Sequence, residues 1–438
     1  MNPPAETAQL LELDAVAIGC GPFNLGLAAL ASSAKDLKLA VLESQAELRW
    51  HPGMMFDDAM LQVNFMADLV TLVDPTHPLS FLSYLRAHDR MYGFYVRQQF
   101  HSTRKEYEHY LRWAAAKLPS IWFSHRVDKV AWDFKEARFV VHVVRANGQR
   151  LHLRARDLVL GIGTEPSMPP ALAGLPPSKV LHTADYLRRA SDVARAKRVT
   201  VIGSGQSGAE AALDLLRRNL EGGPAVSWLT RTASFAPLDY TKLVLEMTTP
   251  AYMAYFHALP EQKRDALLAE QWRHYKGIST ATLELLHDAL YRRELETSLA
   301  DVELRCGITL ESSSVAENGQ IVLLCRHADT ERTFEHRTDL VVAATGYVPR
   351  KPAFLEPIES LIHRDRKKRA IVQPDHSLEL DRSVSGRIFV SNADLHSHGA
   401  AAPDLGIGAY RNATILNAVA GREVYALPQR TAYTRFAL

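Results

Sequence analysis

The chain has 438 residues, 47% hydrophobic and 23% charged, which fits two or three soluble folded domains and excludes a disordered chain. Its 51 Lys and Arg nearly cancel its 49 Asp and Glu, so neither nucleic acid nor a membrane surface is expected as a main partner. Cys20, Cys306 and Cys325 form no C-x-x-C pair, zinc spacing or disulfide framework, which predicts a reducing, cytoplasmic setting. The polar start over 1–13 lacks the apolar stretch of a secretion signal, and no run of about 18 apolar residues offers a membrane span.

In chain order, the apolar run 14–18 (D-A-V-A-I) ends in Gly19, and helix formers follow over 25–31. This predicts a strand, a tight turn and a helix. Residues 37–42 (L-K-L-A-V-L) form the next strand, which closes at Glu43, and the alternation over 138–160, broken at Asn147-Gly148, predicts paired strands. The first pattern returns at Arg198: a strand R-V-T-V-I, a glycine turn over 203–208, a helix, and a second strand over 225–229. Residues 237–299 have helical spacing and read as an insertion; the basic run 364–369 reads as a solvated loop. Strands at 339–343 and 387–390 and a helix over 409–419 complete the chain. The fold expected is α/β, with two Rossmann-like dinucleotide-binding units about 185 residues apart. Its parts are 10–195, 196–384 with a helical substrate-binding insertion at about 237–300, and a return to the first unit over 385–438.

In such units glycines let the backbone turn sharply against a pyrophosphate, whose charge sits at the helix N-terminus. Gly203, Gly205 and Gly208 complete G-x-G-x-x-G between a strand and a helix, and Gln206 and Ser207 lie within it. The first turn, Gly19-Cys20-Gly21-Pro22-Phe23-Asn24, has Asn24 at the third glycine position. Glu43, 24 residues after Gly19, stands where an acid accepts from ribose hydroxyls. Arg231 stands at the matching strand end of the second unit, where a cation suits a 2'-phosphate and therefore NADPH. Cys20 reads as a small buried residue. His51, His396 and His398 make a poor ligand set, so no metal is expected, and no G-x-S-x-G elbow supports a serine hydrolase.

These motifs, with Trp50-His51-Pro52-Gly53-Met54, Leu61-Gln62, Asp68-Leu69-Val70-Thr71, Ala344-Thr345-Gly346-Tyr347 and His398-Gly399 in this order, resemble the N-hydroxylating flavin monooxygenases of hydroxamate siderophore synthesis. His182-Thr183-Ala184-Asp185-Tyr186 is similar to the latter half of the wider flavin monooxygenase fingerprint. The resemblance covers nearly the whole chain. It implies FAD on the first unit, NADPH on the second, and hydroxylation of a neutral primary amine by O2 through a flavin C4a-hydroperoxide. The protein orients the reactants and excludes water. By the same resemblance Gln62 and His51 serve the reaction beside the flavin, Trp50 and Met54 line that face, and Thr345, Gly346, Tyr347 and Leu405 complete the cofactor sites. A homo-oligomer, dimer or tetramer, is expected by analogy.

The amino-acid hydroxylases of this family read F-L-K-D-L where this chain has Phe65-Met66-Ala67-Asp68-Leu69, so the Lys that pairs with a substrate carboxylate is replaced by Ala67. Their carboxylate-binding Asn aligns with Leu245, beside Glu246, and their N-Y-S segment with Gly277-Ile278-Ser279. A cavity with no cation or amide donor would bury a carboxylate at a cost of several kcal/mol. The expected substrate is therefore putrescine or cadaverine, with Asp404 holding the far ammonium and Asp68 and Glu246 as nearby acids. The alternatives are an L-ornithine or L-lysine hydroxylase, an NADPH oxidase or reductase, and a silent FAD-binding sensor.

Overall fold

A computed structural model describes residues 11–220, 222–296 and 298–437; residues 1–10, and with them most of the segment read as lacking a secretion signal, lie outside this range. The strand Leu11–Ile18 pairs in parallel with Leu39–Leu42 on one side and Arg150–Leu160 on the other. Its last four residues are buried on both faces, which is why they read as an unbroken apolar run. Outward from this pair the sheet continues through Ile121–Trp122 at one side and Arg138–Arg145 and His125–Asp133 at the other. Arg387–Val390 returns to pair with Arg150–Leu160. The helices Pro22–Ala31 and Gly408–Ala420 pack together on this sheet, burying Leu25, Ala28, Ile415 and Leu416.

The second sheet is parallel throughout, in the order Val302–Arg305, Ala225–Leu229, Arg198–Ile202, Leu340–Ala343, Val180–His182. Beside it lies an antiparallel meander, Ile308–Val315, Ile321–His327 and Thr333–Thr338. The insertion is helical as expected: Pro250–Ala258, Glu261–Glu270, Arg273–Lys276 and Thr280–Glu296. No helix among the described residues is long and apolar enough to cross a membrane.

The edges of the units differ from the sequence reading in two places. Val180–His182, assigned to the first unit, is an edge strand of the second sheet. Conversely, Leu355, Ile358, Ile362, Val372 and Leu378, assigned to the second unit, join Val16, Leu158 and Ile388 in the core of the first. The chain passes between the sheets at a two-stranded ribbon, Thr164–Pro166 with Tyr347–Pro349. The strand of three residues is too short for periodicity to detect, and 353–378 is mostly irregular backbone whose buried residues follow no period. The basic run is largely exposed, as a solvated loop would be, but it is also fastened to the insertion: Arg369 donates to Asp265 at 2.7 Å and Asp365 at 2.6 Å, and Lys367 pairs with Asp265 at 2.7 Å.

Candidate active site

Both glycine turns sit at the C-terminal end of the middle strand of their sheet, the position where doubly wound sheets bind ligands. Gly19 has φ +88, and a Cβ there would meet the Gly161 carbonyl oxygen at 2.5 Å. The Asn24 side chain is buried and donates to the carbonyls of Gly19 (2.9 Å) and Ile18 (3.2 Å). Pro22 opens the helix, Gly21 caps it with no side-chain hydrogen bond to its first N–H groups, and a Cβ on Gly21 would meet nothing within 4 Å. Phe23 lies under the Arg411 guanidinium, 4.9 Å from its ring centre. The Glu43 carboxylate accepts from the Cys20 N–H at 2.8 Å. Burial and that carboxylate push the Cys20 thiol up to about 12, which removes it from redox or nucleophilic chemistry.

In the second turn Gly203 has φ +118, and a Cβ there would lie 2.2 Å from the Ala344 oxygen; one on Gly208 would lie 2.3 Å from the Gly203 oxygen. Gly205 has only the Lys276 carbonyl within 4 Å of such an atom, and Arg231 is exposed just past the strand Ala225–Leu229. Thr345 donates to the Ser167 carbonyl at 2.5 Å, and His182 donates to the Gly346 carbonyl at 3.0 Å; these bonds set the turn that precedes Tyr347.

A cavity of ≈ 270 Å³ lies between the units, and Trp50, His51, Met54, Gln62, Tyr347 and Leu405, all expected at the site, line it together with Gln206, Ser207 and Asp404. Trp50 is fixed by its backbone N–H, which donates to Glu108 at 2.9 Å, and its ring stands edge-on to His51. Crowding by protein and the nearby Arg104 guanidinium push the His51 imidazole below its usual range, although its ring is open to the cavity. Three parts of the chain meet at one amide: the Gln206 Oε1 accepts from Gln62 Nε2 (3.3 Å) and Ser279 N (2.8 Å), and its Nε2 donates to Thr282 (2.9 Å) and Glu210 (2.8 Å).

Arg104, which the sequence reading missed, is also in this wall. Both its terminal nitrogens pair with Glu210, at 2.7 and 2.6 Å, and Nη1 also donates to the Met54 carbonyl at 3.1 Å. The expectation of a cavity free of cations and amides is thus corrected: a guanidinium and two amides are present, but the guanidinium is held by Glu210 and the amides are bonded to each other. The signal for Arg104 was Thr103-x-x-Glu106, a helix-start pattern; Thr103 caps the helix Arg104–Ala115 by accepting from Glu106 N. Tyr240 and His274, also in the lining, come from the insertion side and had no motif.

Several expected substrate residues stand elsewhere. Asp68 is 5% exposed and accepts from the backbone of Val70, Thr71 and Phe81 and from the Thr71 hydroxyl, so it anchors its own loop. Leu245 lies on the surface, and Glu246 accepts from the backbone of Tyr433 and Thr434. Gly277 is a contact point of backbone on backbone, where a Cβ would lie 2.3 Å from Leu238 N. Ala67 is buried near Gly406, behind the turn that carries Asp404. Both carboxylates are spent on backbone N–H groups: Asp68 on those of its own loop and of Phe81, Glu246 on those of the distant Tyr433 and Thr434.

Asp404 is in the cavity wall. Its Oδ1 accepts from Gly406 N at 2.7 Å, while Oδ2 faces the Tyr240 hydroxyl at 3.5 Å. Behind it, His398 meets His376 and Asp394 in a buried cluster that no sequence spacing revealed.

Two glycine turns at the C-terminal ends of parallel strands in separate sheets, with Gln206 and Ser207 of the second in the wall of the cavity, define a two-dinucleotide oxidoreductase of the doubly wound α/β class. Residues 12–349 match the L-lysine 6-monooxygenase/L-ornithine 5-monooxygenase family, and the chain belongs to it. It is 39% identical to the Rhizobactin siderophore biosynthesis protein RhbE of Rhizobium meliloti, over 98% of this chain and 96% of that one. It is 38% identical to a putrescine N-hydroxylase of Shewanella oneidensis, over 100% of this chain and 86% of that one. Among solved structures it matches DfoA bound to FAD, the cadaverine monooxygenase of the desferrioxamine pathway in Erwinia amylovora. The TM-score is 0.93 at 38% identity, over 97% of this chain and 98% of that one.

Proposed function

We propose that this protein N-hydroxylates one amine of an aliphatic diamine, putrescine or cadaverine, with FAD, NADPH and O2, in hydroxamate siderophore synthesis. The observation that carries the diamine reading is Asp404, whose carboxylate sits in the cavity with one oxygen turned to a phenol rather than to a cation. The names of the relatives, a putrescine N-hydroxylase and a cadaverine monooxygenase, support the same reading.

The first turn fits FAD: Gly19, Gly21 and Pro22 bring uncapped helix N–H groups to a pyrophosphate, with Phe23 and Asn24 shaping the turn and Glu43 beside it for the ribose. The second turn, with Gly203, Gly205, Gln206, Ser207, Gly208 and the exposed Arg231, fits NADPH in the same way. Thr345, Gly346 and Tyr347 border the two, and the unit between the ribbon strands, about 164–350, carries the second nucleotide. When bound, the flavin and NADPH supply the reducing equivalents and the activated oxygen. Trp50, His51, Met54, Gln62 and Leu405 shape the space where the amine meets it. A neutral His51 adds no positive charge to that wall, and the apolar surfaces of Trp50, Met54 and Leu405 favour loss of the proton from the reacting nitrogen. Asp404 holds the other nitrogen as ammonium, which fixes the reacting end by distance. The apolar exposed surface of Tyr92, Tyr95, Val96 and Phe100 supports a homo-oligomer.

The test is hydroxylamine formation across putrescine, cadaverine, ornithine and lysine, with NADPH oxidation followed in parallel. Diamines should couple oxidation to product. A substrate carboxylate brought near Asp404 costs several kcal/mol, so the amino acids should fall by roughly 100-fold or more in kcat/KM. Asp404→Asn should raise the diamine KM by roughly ten- to hundred-fold, the range of a charge-assisted bond. Burial raises the Asp404 carboxyl above its usual range. Its charged form is therefore lost at a higher pH than for a solvated Asp, and diamine affinity should fall as pH drops through that point. Tightly coupled turnover of ornithine would overturn the reading.

A further inference from the structure

Behind the cavity wall lies a buried set of charges that the proposed reaction does not use. Arg411 is fully buried on the helix Gly408–Ala420. Its Nη2 donates to the Ala402 carbonyl at 2.7 Å, two residues before Asp404, and lies 3.7 Å from Asp394 Oδ2. Asp394 is also fully buried and accepts from His376 Nδ1 at 2.9 Å, while His398 Nδ1 stands 3.5 Å away. Burial holds both imidazoles below their usual range, His398 at about 3. Arg411 and His376 in turn hold Asp394 ionised against the cost of its burial. A guanidinium beside the carboxylate, with two neutral rings, is a poor setting for a metal ion and a sound one for a charge pair.

The balance matters for the cavity. A buried guanidinium attracts whichever carboxylate is free, and Asp404 is within its field. Two carboxylates, Asp394 and Asp404, face one cation, which leaves one negative charge over. Because Asp394 is nearer the guanidinium and wholly enclosed, that spare charge resides on Asp404, where the cavity opens.

We propose that Asp394 is a positioning residue for substrate choice: by taking up the charge of Arg411 it leaves the Asp404 carboxylate free to hold the far ammonium of a diamine. This rests on the reading of Asp404 given above, so the test separates the two. The measurement is the ratio of KM for n-butylamine to KM for putrescine in the FAD-loaded enzyme, read from hydroxylamine product. A merely structural change at position 394 would weaken both amines and leave the ratio alone. Asp394→Asn should shrink the ratio by about ten-fold or more, because Arg411 then pairs with Asp404. The double variant Asp394→Asn with Arg411→Met removes both charges of the pair and should restore the ratio.

If Asp394→Asn keeps the full ratio while Asp404→Asn loses it, the role of Asp394 is overturned and the role of Asp404 stands. If Asp404→Asn keeps the ratio, the reading of Asp404 falls and this inference with it. A double variant that fails to restore the ratio also overturns the inference. Should Asp394→Asn alone not fold, Asp394→Ser takes its place: a shrunken ratio supports the inference and a full one sinks it.

Discussion

The two glycine turns solve one packing problem in two ways. In each, the first glycine N–H donates to the end of the neighbouring strand, Gly19 to Leu42 at 2.8 Å and Gly203 to Leu229 at 2.9 Å. In each, the helix returns over the first glycine's carbonyl five residues later. In the second unit that position is Gly208, which has no side chain to strike the Gly203 oxygen, and the oxygen accepts from the Trp228 indole at 2.8 Å. In the first unit the position is Asn24, whose amide reaches the Gly19 oxygen itself. The room comes from the next strand, where Gly161 stands opposite Asn24 and the counterpart in the second unit is Ala344. A third glycine is therefore dispensable when an amide can satisfy the carbonyl and a glycine across the turn makes space.

The largest expected effect tests what the turns share. Gly203→Ala forces a Cβ to 2.2 Å from a backbone oxygen in a left-handed conformation, a strain of roughly 3 kcal/mol or more. NADPH-dependent bleaching of the flavin under anaerobic conditions should slow by about 100-fold, if the second unit folds at all. Gly19→Ala should instead cost FAD retention. Normal bleaching in Gly203→Ala would mean that the second turn is not where NADPH docks.

A middle-sized effect tests what they do not share. Gly161→Ala puts a Cβ 2.4 Å from the Asn24 side chain, an overpacking worth about 1–3 kcal/mol in thermal or urea unfolding. Adding Asn24→Gly to Gly161→Ala should recover part of that loss, since the new methyl then fills the space the amide leaves. Strict additivity of the two changes in a double-mutant cycle would show that the pair is not coupled.

The same contrast shows why some of the molecule was legible in the sequence. The strands Arg198–Ile202, Ala225–Leu229 and Arg387–Val390 match the predicted bounds, because parallel strands covered on both faces are mostly apolar runs with sharp polar ends. The helix Arg104–Ala115 carries Arg104 into the cavity but was passed over, although its capping pattern was in view. Asp404 was legible through its neighbours in a recognisable segment. Asp68 and Glu246 were misplaced because a carboxylate bound to backbone, in its own loop for Asp68 and at Tyr433 and Thr434 for Glu246, looks in sequence like one facing a cavity. The cluster of His376, Asp394, His398 and Arg411 is spread over 36 positions, from 376 to 411, and only the packing of irregular segments brings it together.

The smallest expected effect concerns the charge at the two strand ends. Glu43 is tied to the first turn by the Cys20 N–H, whereas Arg231 is exposed beside the second. If Arg231 reads a 2'-phosphate, Arg231→Ala should raise the KM for NADPH by about ten-fold and leave that for NADH unchanged, as expected for one charge-assisted contact. Because the side chain faces solvent, salt should screen the interaction, and the gap between parent and variant should narrow as ionic strength rises. An equal rise for NADH would assign Arg231 to the shape of the turn, and the two strand ends would then differ in sign without differing in what they recognise.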